Sequence, residues 1–484
     1  MKKITMFASA LALMSLCFAP SLHAQFSGGT GTASDPFLIK TADDLDNVRF
    51  YCGSNNTDKH FRMMNDIDLT DFLQNSTKGW QPIGDNSNFT GYFHGGGYRI
   101  NGLWINISTT NIGFFGINSG TIDSLIVTIT ASNINGGYYT GGFVGYNSGP
   151  ITGCGVEGRG STGGTAVGGF AGYNLSEISY CYSTSYSSSS SYSGFSGFSG
   201  GFVGVNSGTI NNCSATGNSS SDDYSGGFVG YNLWGVINNC SATGSSSSFY
   251  SRSGGFVAEN LDGTINKCYA TGNSSGNLSG GFVGNNSGTV TNCYAMGNSS
   301  GNSYSGGFIG IVSNGISNCY SVGQVDGDGV DGAFAGQCTD ATLLSQCYYN
   351  SDINGVMKAV GYGVGGVSGV TTDAMKSKAT FINWDFDTVW TIDEGVTYPY
   401  FQTSTPTGIR QISPNVLQIY PNPTNGIVYL NCELNTPIRV YSVSGSLLFQ
   451  SISRTEKETI DLSAYPQGIY LIKTGNRYGK IIKK

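Results

Sequence analysis

Histidine sets the first limit on the chemistry open to this chain. Past residue 25 there are only His60 and His94, and none follows residue 94. A Ser–His–Asp triad or a Cys–His dyad in the long remainder is therefore excluded. No HExxH sequence is present, so the zinc-protease route that needs two histidines one helical turn apart is absent too. A glycosidase needs two carboxylates about 5 to 9.5 Å apart. Asp222 and Asp223 are adjacent, but they stand in SSSDDYSGG, which reads as a solvated turn. A polysaccharide lyase would want a Lys or Arg base beside acidic calcium ligands. Between residues 111 and 350 only Arg159, Arg252 and Lys267 are basic, against eleven Asp and Glu. Gly361, Gly363 and Gly366 match GxGxxG without a βαβ unit around them. The chain reads as a non-enzyme with no cofactor.

Three further sets could bind rather than react. Asp326, Asp328 and Asp331 in VDGDGVDG are spaced like the start of a calcium loop. The downstream acidic ligand is missing, and an ordinary corner is the plainer reading. Cys154, Cys181, Cys213, Cys240, Cys268, Cys293, Cys319 and Cys347 recur once per repeat. Stacked in register at about 4.8 Å, their Cβ atoms would exceed the usual disulfide separation of about 3.5 to 4.5 Å. They read as an interior ladder of small apolar thiols. Tyr269, Tyr294 and Tyr320 each directly follow a ladder Cys. If the Cys points inward the Tyr points outward, giving an aromatic strip that could stack on sugar rings or bury at an interface.

The elements that must position these residues come from a repeat. Phe143, Phe170, Phe202, Phe228, Phe256, Phe282 and Phe308 each follow a Gly and Phe334 follows Ala333, mostly 26 to 28 residues apart. The long gap coincides with the serine-rich insert SYSSSSSYSGFSGFSGG. Ile151, Ile178, Ile210, Ile237, Ile265, Val290, Ile316 and Leu344 each stand three residues before a Cys. Self-similarity at fixed period means a solenoid or an array. Short apolar stretches between Gly, Asn and Ser clusters read as strands and turns. Three short strands and three corners per unit predict an all-β, right-handed parallel β-helix of about nine coils. Val290 and Cys293 can both face inward only if the chain bends between them. Asn212, Asn239, Asn292 and Asn318 would supply the left-handed corner. Gly217, Gly244, Gly272, Gly297 and Gly323 would mark the next.

The ends differ from the middle. Lys2 and Lys3 precede an apolar run from Ile4 to Phe18 and a small residue at Ala24, which reads as a cleaved signal peptide. No other stretch reaches membrane-spanning length. The net charge of -7 and the scarcity of basic residues disfavour nucleic acid as a partner. After TSTPTG, runs such as IVYL, IRVYSV and IYLIK, broken by NPTNG and VSGS, predict a small antiparallel sandwich.

GGFVGxNSGTIxNC resembles the GLUG repeat, found in bacterial surface adhesins and IgA-specific metalloproteases. TASDPFLIKTADDLDNVR and GWQPIGDNSNFTGYFHGGGYRINGL resemble the leader of such adhesins, in which Thr41 would cap a short helix with Asp44 three residues on. His94 departs from that pattern, since relatives often carry Asp-Gly-Asn there. Residues 371 to 401 resemble the segment that closes these solenoids. The C-terminal piece resembles the sorting domain of type IX secretion substrates through Tyr420, Pro421, Asn422, Pro423 and Gly426, then Ser444-Gly445, then Gly468 and Tyr470. With the signal peptide (1–24), these resemblances imply a cap with the first coils (25–110) and the repeat solenoid (111–350). A closing segment (351–402), a linker (403–413) and the sorting domain (414–484) follow. They imply type IX secretion machinery as partner, and a place outside the cell or on the outer face of a Gram-negative outer membrane. An adhesin for glycans or host matrix proteins is the expected role. A structural spacer and a carbohydrate-active enzyme are the alternatives.

Overall fold

A computed structural model describes residues 26–191 and 196–402, then 417, 419–420, 422–432, 434, 436–442, 447–455, 457–474 and 477–484. The expected signal peptide, the linker, Pro421 and Ser444-Gly445 lie outside the described residues. Two compact units divide at Gln402 and Thr403. Among the described residues no helix is long and apolar enough to cross a membrane.

The first unit is a parallel β-solenoid. One sheet holds twelve strands and a second holds ten, each strand paired in parallel with its equivalent one coil away. The aliphatic positions align from coil to coil, Ile122 with Ile151, Ile178, Ile210, Ile237, Ile265, Val290, Ile316 and Leu344. The expected nine coils are thus twelve. The first three strands, Phe37–Ile39, His60–Met63 and Tyr92–His94, come from the leader. Their core is filled by Ile39, Phe61, Trp80, Phe89 and Phe93, which follow no period. Shape, not repetition, makes these coils.

Inside, the repeat phenylalanines stack face to face with centroids 4.8 to 5.0 Å apart. Beside them runs a ladder of buried asparagines. Asn118, Asn147, Asn174, Asn206, Asn232 and Asn260 each donate Nδ2 to Oδ1 of the next coil's Asn, at 2.7 to 2.9 Å. Each amide is satisfied twice, which removes the cost of burying it. The ladder cysteines are free and buried. The backbone N–H of Cys154, Cys181, Cys213 and Cys240 points at the next sulfur, 3.3 to 3.4 Å away.

Asn212, Asn239, Asn292 and Asn318 take φ of 52 to 55°, the left-handed corner the spacing demands. Val290 and Cys293 both face inward. Gly217, Gly244, Gly272, Gly297 and Gly323 also bend the chain, but not through left-handed backbone. A Cβ at Gly244 would lie 2.0 Å from the carbonyl oxygen of Gly217, and the other four meet the same obstruction. Close approach between coils, not φ, requires glycine here. Gly244→Ala should therefore cost about 1 to 3 kcal/mol through overpacking. Gly315→Ala, with nothing within 4 Å, should be neutral or slightly stabilising. Thermal unfolding of the two variants side by side checks the contrast.

Thr41 and Asp44 form a reciprocal capping box on the helix Ala42–Asn47, which covers the first coil. The second unit pairs a three-stranded with a four-stranded antiparallel sheet. Its own core includes Val428, Leu430, Ile438, Val440, Ile460, Ile472 and Ile481.

Candidate ligand-binding groove

The tyrosines form the predicted ladder, but not an open one. Tyr269, Tyr294, Tyr320 and Tyr348 align across successive coils. The first three rings stack at 4.9 and 5.1 Å, nearly parallel. The closing segment lies over them. Met375, Phe381, Trp384, Val389 and Trp390 pack on the strip and bury Tyr294, Tyr320 and Tyr348. The Tyr320 hydroxyl donates to the Pro399 carbonyl at 2.6 Å. Burial pushes the Tyr294 phenol well above its ordinary range. Tyr269 alone stays half-buried at the margin. The expectation of an exposed strip is corrected, because the chain carries its own aromatic cover.

Asp222 and Asp223 tether the serine-rich insert, accepting from the backbone N–H of Ser191 and Gly197. Asp331 accepts from the N–H of Gly327 within its own loop, and burial raises its carboxyl. Asp326 and Asp328 are exposed. Among the described residues no group of three or more His, Cys, Asp or Glu is placed to hold a metal ion.

The two histidines meet on adjacent leader coils. His94 Nδ1 lies 2.8 Å from Asp123 Oδ2, and His94 Nε2 lies 3.3 Å from His60 Nδ1. The His60 ring stacks on Tyr92 at 4.2 Å. No described hydroxyl or thiol bonds either ring, so the row lacks a nucleophile to activate. Burial lowers the His60 pKa below 6.5, with His94 adding to that and Asp58 opposing it. A depressed base favours the neutral ring in the folded state. Its contribution to stability is thus present above the unfolded value and lost as pH falls through the folded one. An NMR titration should place the His60 midpoint below 6.5.

The third side of the solenoid is where the sequence reading falls short. Instead of one straight strand, each coil folds this side into short segments, as in Ser214–Ala215, Ser219–Ser221 and Tyr224–Gly226. The bend at Gly217 and its equivalents leaves a groove along the axis, with a cavity of about 690 Å³. Six coils line it, from Tyr186 and Ser187 to Gln324 and Asp326. At about 4.8 Å per coil the groove runs about 24 Å. Its floor is a set of ladders. Ser220, Ser247, Ser275 and Ser300 pair in register, and Asn218, Asn273 and Asn298 stand two residues before the serine of their own coil. A second cavity of about 570 Å³ adjoins it, sharing Ser275, Ser300 and Asp326 and adding Phe249 and Asp328. Two of the three residues of the calcium-like triplet therefore sit at one end of the groove. The signal for these ladders was present as the repeated Thr-Gly-Asn-Ser-Ser, but its inward bend was not.

A second outer feature was also missed. Residues three after and four before each repeat Phe meet in a crease, where Phe198 lies 5.0 Å from Tyr224 and 5.1 Å from Tyr231. Arg252 lies over Tyr224 and pairs with Glu259 at 2.9 Å. These rings largely cover one another, which makes the crease a packing seam.

In the second unit, Asn422 donates to the Lys480 carbonyl at 2.6 Å and accepts from the Ile482 N–H at 2.8 Å. Pro423 follows it on the surface. Tyr420 pairs with Tyr429 in the strand ladder. A Cβ on Gly426 would lie 2.4 Å from Ser463 Oγ. Gly468 opens the strand Gly468–Thr474, and the Tyr470 hydroxyl donates to the Pro466 carbonyl. The motif residues thus tie the strand ends of this unit together.

Comparison with known proteins matches these two parts separately. The GLUG motif matches residues 163–188 and 223–247, and the secretion system C-terminal sorting domain matches residues 418–484. A Gly-rich membrane protein of Evansella cellulosilytica is 43% identical over 137 residues, 27% of this chain and 16% of that protein. Halomucin of Haloquadratum walsbyi is 33% identical over 128 residues, 26% of this chain and 1% of that protein. The chain thus spans only a small part of either relative. A solved structure described as an immunoglobulin A1 protease from Bacteroides ovatus superposes with a TM-score of 0.36 at 18% identity, covering 78% of this chain and 95% of that one. The chain carries GLUG repeats within a β-solenoid and ends in a type IX sorting domain, which marks a secreted or cell-surface protein.

Proposed function

We propose that this GLUG-repeat solenoid is a non-catalytic binding protein, an adhesin delivered by type IX secretion to the outer face of a Gram-negative outer membrane. One observation carries the reading. A groove about 24 Å long repeats serine hydroxyls coil after coil, joined by the carboxamides of Asn218, Asn273 and Asn298. A surface that offers one weak contact many times suits a repetitive ligand, because each added contact after the first is intramolecular. Among the described residues no hydroxyl or thiol bonds His60 or His94, which fits binding better than turnover. Asp326 and Asp328 sit together at one end, without a basic residue in the groove lining.

The test is retention of the exported chain on immobilised glycans and host matrix proteins, alongside the chain length of any retained polysaccharide. Saturable retention with unchanged polymer length is the expected result. Shortening of the polymer would replace the adhesin with an enzyme, and no retention anywhere would replace it with a spacer.

A further inference from the structure

We infer that the groove takes a neutral, linear chain of pyranose sugars laid along the solenoid axis, with Phe249 stacked on one ring. The inference rests on the proposed reading of the groove as the contact surface, and names what it contacts.

The lining argues for a neutral ligand. It is made of Ser, Asn, Gln and one Tyr, with Asp326 as its sole charged residue. Asp328 adds a second carboxylate in the adjoining cavity. A polyuronate or a sulfated chain would find no cation there and would meet those two carboxylates.

The hydrogen-bond bookkeeping argues for a ligand rich in hydroxyls. Asn218, Asn273 and Asn298 each accept, through Oδ1, the backbone N–H of Ser245, Asn298 and Gln324, all at 2.9 Å. That bond fixes the carboxamide plane and leaves each Nδ2 as a pre-aimed donor. Ser247 and Ser275 are exposed, so their hydroxyls can donate or accept as a ligand requires. The coil spacing of about 4.8 Å is close to the length of one pyranose unit in an extended chain. Each coil can therefore meet one sugar through a hydroxyl, and the coils of Asn218, Asn273 and Asn298 add a carboxamide.

A peptide fits less well. An added strand needs a free sheet edge, yet the backbone on this side is already paired to the coils before and after it. An apolar peptide side chain would find no apolar residue in this lining beyond the ring of Tyr186.

The rim supplies the aromatic platform. Phe249 and Tyr250 are 74% and 64% exposed, and their rings meet edge to face at 4.6 Å. Their backbone N–H groups are held by the carbonyls of Ser221 and Asp222 at 3.1 and 2.8 Å. A phenylalanine so exposed buries little of its ring in the fold. Its backbone is held beside the polar cavity that it helps to line, where a pyranose face can lie against the ring.

The experiment is calorimetric titration of the full exported chain with cello- and chito-oligosaccharides of two to six units, an oligogalacturonate of six units, and soluble collagen. We expect a neutral hexasaccharide to bind, with affinity rising steadily from dimer to hexamer and no binding of the oligogalacturonate. Phe249→Ala should weaken it about tenfold, matching one stacking contact of about 1.4 kcal/mol. Phe249→Trp should restore it. Collagen binding that a bulky groove substitution such as Ser275→Trp abolishes, with no neutral sugar bound, would overturn the sugar while keeping the groove as contact surface. Oligosaccharide binding indifferent to Phe249 and to chain length would overturn the placement. No binding of any probe would overturn both readings.

Discussion

A chain ending at Gln402 is expected to fold and yet to remain inside the cell envelope. The solenoid has its own core and its own cover of Phe381, Trp384 and Trp390. The sorting unit has a separate core and ties its motif residue Asn422 to its last strand through Lys480 and Ile482. Loss of residues 403–484 should therefore leave stability unchanged and delivery abolished. Fractionation with an antibody against the solenoid reads the result. The truncated chain should be protease-resistant and periplasmic, while the full chain is outside. Truncated chain at the surface would contradict the role of the second unit.

Phe256→Ala should have the largest effect on stability. Its ring sits between Phe228 and Phe282, 4.8 Å from each and nearly parallel to both. The backbone around it is held by parallel ladders on both sides, so the space left cannot close. Large cavity-forming changes of this type cost about 3 to 5 kcal/mol. In a solenoid the damage also cuts the contact between one half of the stack and the other. Urea unfolding should show a lower midpoint and a second transition where the wild type shows one. Phe249→Ala, at an exposed position, should leave the midpoint unchanged. A Phe256→Ala cost under about 1 kcal/mol would mean the stack is not what holds the coils.

The repeat core could be read from residue types because each copy faces the same neighbours. Val290 and Cys293 obeyed parity, and Asn292 supplied the corner that parity required. The leader coils were partly hidden, since Phe61, Trp80 and Phe93 build the same cross-section without a shared spacing. The tyrosine ladder was legible in register and illegible in exposure. What covers Tyr294 (Trp390 and Phe401) lies about a hundred residues further on, and only packing brings it there. The groove was missed for a related reason. The outward positions of Asn273 and Ser275 follow from alternation, but the bend between coils at Gly272 that makes the face concave depends on how closely Gly244 approaches it.

A paired substitution separates the groove from the rest of the solenoid surface. Ser275→Trp places a large ring in the groove at an exposed position, and Thr264→Trp places the same ring on the first sheet, also exposed. Both variants should keep the wild-type unfolding midpoint. Retention on the ligand-bearing surface should be lost in Ser275→Trp and kept in Thr264→Trp. Equal retention of the two variants would place the contact surface elsewhere on the solenoid and contradict the account.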